Sequence, residues 1–243
     1  MKDKKKVDNE ITVSVIMITY GHAQFIKEAI SGVLIQECNF PIELIIADDN
    51  SPDNTEEEVM EFLKDHPKKH LVKYTKHKEN KGMHENFQWV TDESRGKYIA
   101  QCEGDDYWID PYKLQKQVDF LEQNPEYGLV YTKTKVFEQR NKTFWQETRG
   151  REISNKHTVL FQNPITSLTT VYRADLNRLY LKENGEKRSN WMMGDYPKWI
   201  WFSYNSKIHF MKDVTAVYRL LENSASNFEE AKTKMAFKKN TIE

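Results

Sequence analysis

The sequence predicts an α/β protein with a doubly wound, mostly parallel sheet and a more irregular C-terminal half. Three observations predict it. From Val13 to Tyr131, apolar β-branched runs alternate with segments of helical period. The runs are apolar almost throughout rather than at every second position, as in strands covered on both faces. Beyond Tyr131 the alternation loosens into polar, aromatic and short extended stretches.

The elements follow in order. Ile11 to Thr19 reads as a first strand, ended by Gly21. Phe25, Ile26, Ala29, Ile30, Val33 and Leu34 recur at helical spacing. Ile42 to Ala47 is a second buried strand, and Asp48 to Asn54 a turn-rich loop. Asn54 or Thr55 is placed to cap a helix opening on Glu56, Glu57 and Glu58, which suit the positive end of its dipole. Leu71 to Thr75 is a third strand, Glu85 to Val90 a helix, and Lys97 to Cys102 a fourth strand. Asp110 precedes Pro111 at the expected first position of a helix with Leu114, Val118 and Leu121 on one face. Gly128 to Tyr131 is a fifth strand. Val136 to Lys156 reads as a loop or β-ribbon, Thr169 to Tyr172 as a strand, and the segment from Pro197 as a helix. Ile208 to Met211 and Val214 to Tyr218 read as two short strands. The aromatic run Trp199, Ile200, Trp201, Phe202 is expected in the core.

Composition narrows the class. The chain has 243 residues, enough at ~150 per domain for one large domain or two small ones. Its 36 basic and 37 acidic residues leave a net charge of -1, which argues against a nucleic-acid partner. Aromatic residues at 12% are too many for a disordered chain. Cys38 and Cys102 are too few for a disulfide framework and suit a reducing compartment. No run approaches the ~20 apolar residues of a membrane span, and Met1 to Glu10 lacks the apolar stretch of a leader. A cytoplasmic protein is expected, with any contact with the inner face of a membrane peripheral. Lys2 to Lys6 reads as a solvated tail. His66 and His70 have helix-like spacing, but Pro67 between them argues against a zinc pair.

Open parallel sheets bind ligands at the carboxyl ends of their strands. The first strand ends in Thr19-Tyr20-Gly21-His22 and the second in Asp48-Asp49-Asn50-Ser51-Pro52-Asp53. Asn80-Lys81-Gly82 follows the third, and the fourth ends in Glu103-Gly104-Asp105-Asp106-Tyr107-Trp108. Two strand ends on one edge therefore carry acid clusters. Carboxylates that close repel unless they hold a cation or bind hydroxyls, and Glu103-x-Asp105-Asp106 suits Mg²⁺ or Mn²⁺ shared with phosphates. Gly104 lets the backbone bend there. The bland alternative is an acidic turn ahead of the helix at Pro111. No Gly-x-Gly-x-x-Gly follows the first strand and no Gly-Lys-Ser/Thr loop is present, so a dinucleotide fold and a Walker ATPase are disfavoured.

These strand-end loops, in this order, resemble a family 2 glycosyltransferase with the Rossmann-like GT-A fold. Val13 to Tyr20 is similar to the opening strand, Ile45 to Thr55 to the Asp-Asp-Gly-Ser loop, and Gly96 to Trp108 to the metal-binding DXD segment. Gly194-Asp195-Tyr196-Pro197 is similar to the acceptor-side motif, and Tyr218-Arg219 with Asn223 to Ser226 to the C-terminal one. The resemblance runs from Val13 to about Asn227 and implies a donor-binding half over 11–110 and an acceptor half over 111–226, between charged tails at 1–10 and 227–243. Three departures stand out: Glu103 occupies the first acid of the DXD segment, Leu221 the usual histidine, and Asn50-Ser51-Pro52 the usual Gly-Ser-Thr.

The resemblance implies that Thr19, Tyr20 and Asp48 hold the base of a nucleoside-diphosphate sugar, with UDP the expected carrier. Asn80, Lys81 and Gly82 would line its ribose or diphosphate, and Glu103 and Gly104 would face the donor. Asp105 and Asp106 would hold Mn²⁺ or Mg²⁺, and Arg219 would sit near the diphosphate. Asp195 would take the proton from an acceptor hydroxyl, with inversion at the anomeric carbon. The acceptor expected by analogy is a glycan or a lipid-linked sugar in surface polysaccharide synthesis. The alternatives are a non-catalytic sugar-nucleotide or glycan-binding subunit and a nucleotidyltransferase. The second usually needs a basic loop after the first strand, where Tyr20 to Gln24 has no Lys or Arg.

Overall fold

The computed structural model describes residues 10–153, 155–185 and 194–222. The tails at 1–9 and 227–243, and Asn223 to Ser226 of the C-terminal motif, lie outside the described residues. In chain order the elements are β1 (Val13–Thr19), α1 (Ile26–Leu34), β2 (Ile42–Asp48), α2 (Thr55–Leu63), β3 (Val72–Lys76), α3 (Met83–Asp92), β4 (Tyr98–Gln101) and β5 (Tyr107–Trp108). Then come α4 (Lys113–Gln123), β6 (Tyr127–Glu138), β7 (Thr143–Phe144), α5 (Thr158–Phe161), β8 (Val171–Arg173), α6 (Ala174–Asn184), α7 (Tyr196–Asn205) and β9 (Lys207–Leu220).

They build one mixed sheet in the order β3-β2-β1-β4-β8-β6-β9-β5, with β7 on β6. β1 pairs in parallel with β2 and β4, β2 with β3, and β6 with β9. β8 runs antiparallel between β4 and β6. The fifth strand of the local pattern, β6, is therefore not the neighbour of β4. The α4 crossover sets it one strand further out, and the late strand β8 satisfies the backbone groups of both.

Alternate strand residues feed two cores. Val13, Val15 and Met17 face Ile26, Ile30, Val59 and Leu114 of α1, α2 and α4. Ile16, Ile45 and Ala47 face Val90, Tyr180, Trp199 and Phe202 of α3, α6 and α7. The aromatic run thus does belong to the core through Trp199 and Phe202.

Four local expectations change. Asn54 makes no capping bond with its side chain; Asp53 Oδ1 instead takes the Thr55 N–H at 3.2 Å and its hydroxyl at 2.6 Å. α4 begins at Lys113, two residues past Pro111, because Asp110 closes a turn by accepting the Tyr112 N–H at 2.9 Å. The two short C-terminal strands are one strand, β9, which follows β6 through register shifts. Helix α6 and the two-residue strand β5 carry too little local pattern to be foreseen.

Candidate active site

The carboxyl ends of β1, β2 and β4 lie side by side, with Thr19 opposite Asp48. Thr19 is buried, its hydroxyl 3.1 Å from His22 Nδ1, whereas Tyr20 is half exposed. Asp48 is fully buried with both oxygens engaged: Oδ1 accepts the Ser51 N–H and Oδ2 the Tyr74 hydroxyl, each at 2.7 Å. Burial and then the bond to Asp48 push the Tyr74 phenol up, so it stays a donor to that carboxylate.

The next residue shapes the neighbouring loop. Asp49 accepts the backbone N–H groups of Lys81 at 2.7 Å and Gly82 at 2.9 Å, and its carbonyl accepts Asn80 Nδ2 at 3.2 Å. Gly82 has φ +82°, a conformation that costs little only without a Cβ, and α3 starts directly after it. Asp49 therefore holds all three residues against the end of β2, Lys81 and Gly82 through its carboxylate and Asn80 through its carbonyl.

Past β4 the chain folds back over β1. Gly104 donates its N–H to Ile18 O at 3.0 Å. A Cβ on it would stand 2.6 Å from Thr19 Oγ1 and 2.8 Å from Thr19 Cβ, so only glycine allows this crossing. Asp106 is buried and turned inward. Its Oδ1 accepts the Arg219 N–H at 2.7 Å, while burial and the charges of Asp105 and Glu103 hold its carboxyl well above the usual range. Asp105 is half-buried, and its carboxylate takes no hydrogen bond among the described residues. Its carbonyl accepts Arg219 Nη1 at 2.6 Å. Arg219 also pairs with Glu28 and lies between the rings of Phe25 and Tyr107, with its guanidinium carbon 5.1 and 4.5 Å from their centroids. It braces the 105–106 turn from below.

Asp195 comes to the same place from the far side of the sheet. It caps α7, with Oδ1 accepting the Tyr196 N–H and Oδ2 the Ser167 hydroxyl, both at 2.8 Å. The Glu103 carboxyl is pushed up to about 7, first by burial, then by the negative charges of Asp105 and Asp195, against an opposing pull from Lys198. Acids from β4 and α7 thus share one electrostatic neighbourhood.

Could these residues hold a divalent cation? Among the described residues no three ligating side chains converge. A hard ion that keeps waters and phosphate oxygens needs only one or two carboxylates, and Asp105 offers one with no competing donor. The donor set fits Mn²⁺ or Mg²⁺ on those terms. Asp106 has already committed one oxygen to Arg219.

Asp49, Ser167 and Lys198 were missed by sequence reasoning. Asp49 stood beside Asp48 in a strand-end pair, which was a usable signal. Lys198 lies one helical turn after Asp195, but nothing local shows that it is buried. Ser167 gives no signal.

Comparisons with known proteins identify the family and the fold. Residues 14–187 match the family model described as Glycosyl transferase family 2. The uncharacterized protein Rv1520 of Mycobacterium tuberculosis is 36% identical over 164 residues, 66% of this chain and 46% of the relative. EpsE of Bacillus subtilis, named as a glycosyltransferase, is 33% identical over 127 residues, 52% of this chain and 44% of the relative. The chain therefore spans less than half the length of these relatives. TarS 1-349 of S. aureus in complex with UDP-GlcNAc superposes with TM-score 0.66 at 19% identity, covering 90% of this chain and 62% of that one. The mannosyltransferase PcManGT of Pyrobaculum calidifontis, in complex with GDP-Man and Mn²⁺, gives 0.64 at 16%, covering 88% and 58%. At such identities these likenesses establish the fold, a GT-A sheet with its mostly parallel core.

Proposed function

The chain belongs to glycosyl transferase family 2, and on that premise we propose that it moves a sugar from a nucleoside diphosphate to an acceptor hydroxyl, inverting the anomeric centre. One observation carries the reading: Asp105 after β4 and Asp195 at the head of α7 both bear electrostatically on Glu103. A donor-side acid pair facing an acceptor-side carboxylate is what in-line displacement needs. TarS bound to UDP-GlcNAc supports a uridine donor, and PcManGT bound to Mn²⁺ supports a divalent cation.

In this reading the residues of 11–110 take the donor and those of 111–226 the acceptor. Tyr20, half exposed, packs on the base, while the buried Thr19 and Asp48, the latter locked by Ser51 and Tyr74, fix the strand ends beneath it. Asn80, Lys81 and Gly82 stand along the ribose and diphosphate because Asp49 holds them there. Glu103 and Gly104 border the donor, and Arg219 keeps the 105–106 turn in place. Asp105, with Asp106 beside it, would hold Mn²⁺ or Mg²⁺. Bound there, the ion supplies positive charge against the diphosphate leaving group. Asp195, fixed by Ser167 and Tyr196, accepts the proton of the attacking hydroxyl at its carboxylate.

A glycan or lipid-linked acceptor in surface polysaccharide synthesis is the proposed substrate class. TuaG of Bacillus subtilis, named for teichuronic acid biosynthesis and 31% identical over 109 residues, 45% of this chain and 41% of the relative, supports it. No helix among the described residues is long and apolar enough to cross a membrane. A cytoplasmic site of action, with peripheral contact at the membrane's inner face, completes the proposal.

The test is a thermal-shift screen of nucleotide sugars with and without Mn²⁺, followed by UDP release from the donor that stabilises best. Stabilisation by one donor with metal-dependent release is expected. Donor binding with no release on any acceptor or on water would make the chain a binding subunit instead.

A further inference from the structure

Apolar rings scattered singly over a surface are ordinary, whereas rings grouped with cations mark a contact. The ribbon formed by β7 and the end of β6 groups them. Residues 140–148 are all exposed, and Phe144 and Trp145 stand at their centre, 51% and 43% exposed. The backbone holds both rings in place. Phe144 pairs with Phe137 of β6, and the Trp145 N–H donates to Val136 O at 2.9 Å. Arg149 and Thr134 exchange both of their backbone bonds, at 2.9 and 3.0 Å. A partner would therefore meet a surface that is already ordered.

Cations surround the rings. Lys135 Nζ lies 5.6 Å from the Phe144 centroid, and the Arg149 guanidinium carbon 5.0 Å from the Trp145 centroid and 4.9 Å from that of Tyr218. Arg140 and Lys142 occupy the turn. Lys135, Lys142 and Arg149 make no ion pair among the described residues. Arg140 meets the exposed Glu222 at 3.4 Å, a pair worth little in water. Residues 133–152 carry six basic and three acidic side chains in a chain of net charge -1, so the remainder is net negative.

Rings flanked by Lys and Arg suit the headgroup boundary of a bilayer, where the rings sit at headgroup depth and the cations meet anionic phosphates. A soluble polyanion would use the cations without the rings. A second copy of this chain would set like charge against like. The base of the ribbon also adjoins the transfer site. Phe137 is level with Arg219 in the β6–β9 register, and Arg219 holds the Asp105 carbonyl.

We propose that the β6–β7 ribbon is a docking surface for an anionic lipid bilayer. Phe144 and Trp145 are its anchors, and Lys135, Arg140, Lys142 and Arg149 its electrostatic contacts. Its purpose, presenting a lipid-linked acceptor to the site, rests on the glycosyltransferase reading. The binding itself needs no substrate.

Flotation of the full chain with vesicles tests it. One set is phosphatidylcholine alone, and the other contains about one-third phosphatidylglycerol. Phe144→Ala with Trp145→Ala removes the rings. Lys142→Gln with Arg149→Gln removes two cations. The wild type is expected to bind the anionic vesicles at least about tenfold more tightly than the neutral ones, and to be released by about 0.5 M salt. Each double variant should lose at least about fivefold in affinity. Melting temperature and UDP affinity should stay at wild-type values in both. If a double variant does not fold, Trp145→Ala and Lys142→Gln alone decide by the same readings. No flotation of the wild type, equal binding to both vesicles, or variants that float like the wild type overturns the proposal. Loss in the cation variant alone makes the ribbon a site for polyanions in general. Self-association through the rings with no vesicle binding makes it a contact between copies. Either result overturns it too. Vesicle binding without UDP release from any donor sinks the glycosyltransferase reading and leaves the docking surface standing; release without vesicle binding does the reverse.

Discussion

Asp106 Oδ1 accepts the backbone N–H of Arg219 at 2.7 Å, joining positions 113 residues apart. The bond ties the acid segment after β4 to the C-terminal strand β9. The Arg219 side chain completes the tie through the Asp105 carbonyl and Glu28. Arg219→Lys keeps the backbone bond but cannot reproduce the fork that serves both partners. A loss of about 1–3 kcal/mol in stability is expected, with weaker Mn²⁺-dependent nucleotide binding. Chemical denaturation and UDP titration would check it; unchanged values in both would show that the brace is idle.

Asp195→Asn separates cap from base. Asparagine caps a helix about as well as aspartate, so α7 should persist. The amide cannot accept the acceptor's proton, and a drop in transfer of about 10²–10⁴-fold is expected with nucleotide affinity unchanged. Turnover near the wild-type rate would remove Asp195 from that role.

Asp49→Ala leaves the Lys81 N–H without its acceptor and takes one of two acceptors from the Gly82 N–H, which still reaches Asn80 Oδ1 at 3.0 Å. An unpaired polar group costs about 1–3 kcal/mol when buried, less where water reaches it. The expected signature is a raised donor KM with kcat nearly kept, since the loop lines the donor rather than the reacting bond. Steady-state kinetics distinguish this from a general loss of folded protein, which would lower the apparent kcat at constant KM.

Gly104→Ala forces a Cβ to within 2.6 Å of Thr19 Oγ1. Overpacking of this kind costs about 1–3 kcal/mol, and here it would also push the acid segment off β1. Pairing it with Thr19→Ala removes the clashing hydroxyl and should return part of the lost thermal stability. If the double variant melts no higher than Gly104→Ala alone, the contact with the Thr19 hydroxyl is not the cause.

Lys113 gives stability a pH dependence. Its side chain is fully buried against Trp108 and Gln117, and burial pulls its ammonium down to about 7. The unfolded chain holds that proton up to about pH 10.4. Folding therefore meets a penalty that grows as pH falls from about 10 towards 7 and is complete below 7. Lys113→Met should raise Tm most below pH 7, by ~1–2 kcal/mol equivalent after loss of the Gln117 bond. The gain should vanish above pH 10. Melting curves across pH 5–10 with a constant offset would refute the titration.

The sequence by itself determined the strands β1 to β4, the helices between them, and which polar and acidic residues stand at the strand ends. All of these are local: a strand's burial shows in a short apolar run, and a loop's acids are contiguous in the chain. Thr19, Asp48, Glu103 and Asp105 could be placed on one edge because parallel strands present their carboxyl ends together. Only the tertiary structure decided that β8 enters between β4 and β6, that β9 is one strand, and that Asp106 turns inward towards Arg219. Only it brought Asp195, bonded to Ser167, and Lys198 within electrostatic reach of Glu103. Those facts depend on pairings between residues tens of positions apart and on which charges lose their water, and neither leaves a periodic trace in the chain.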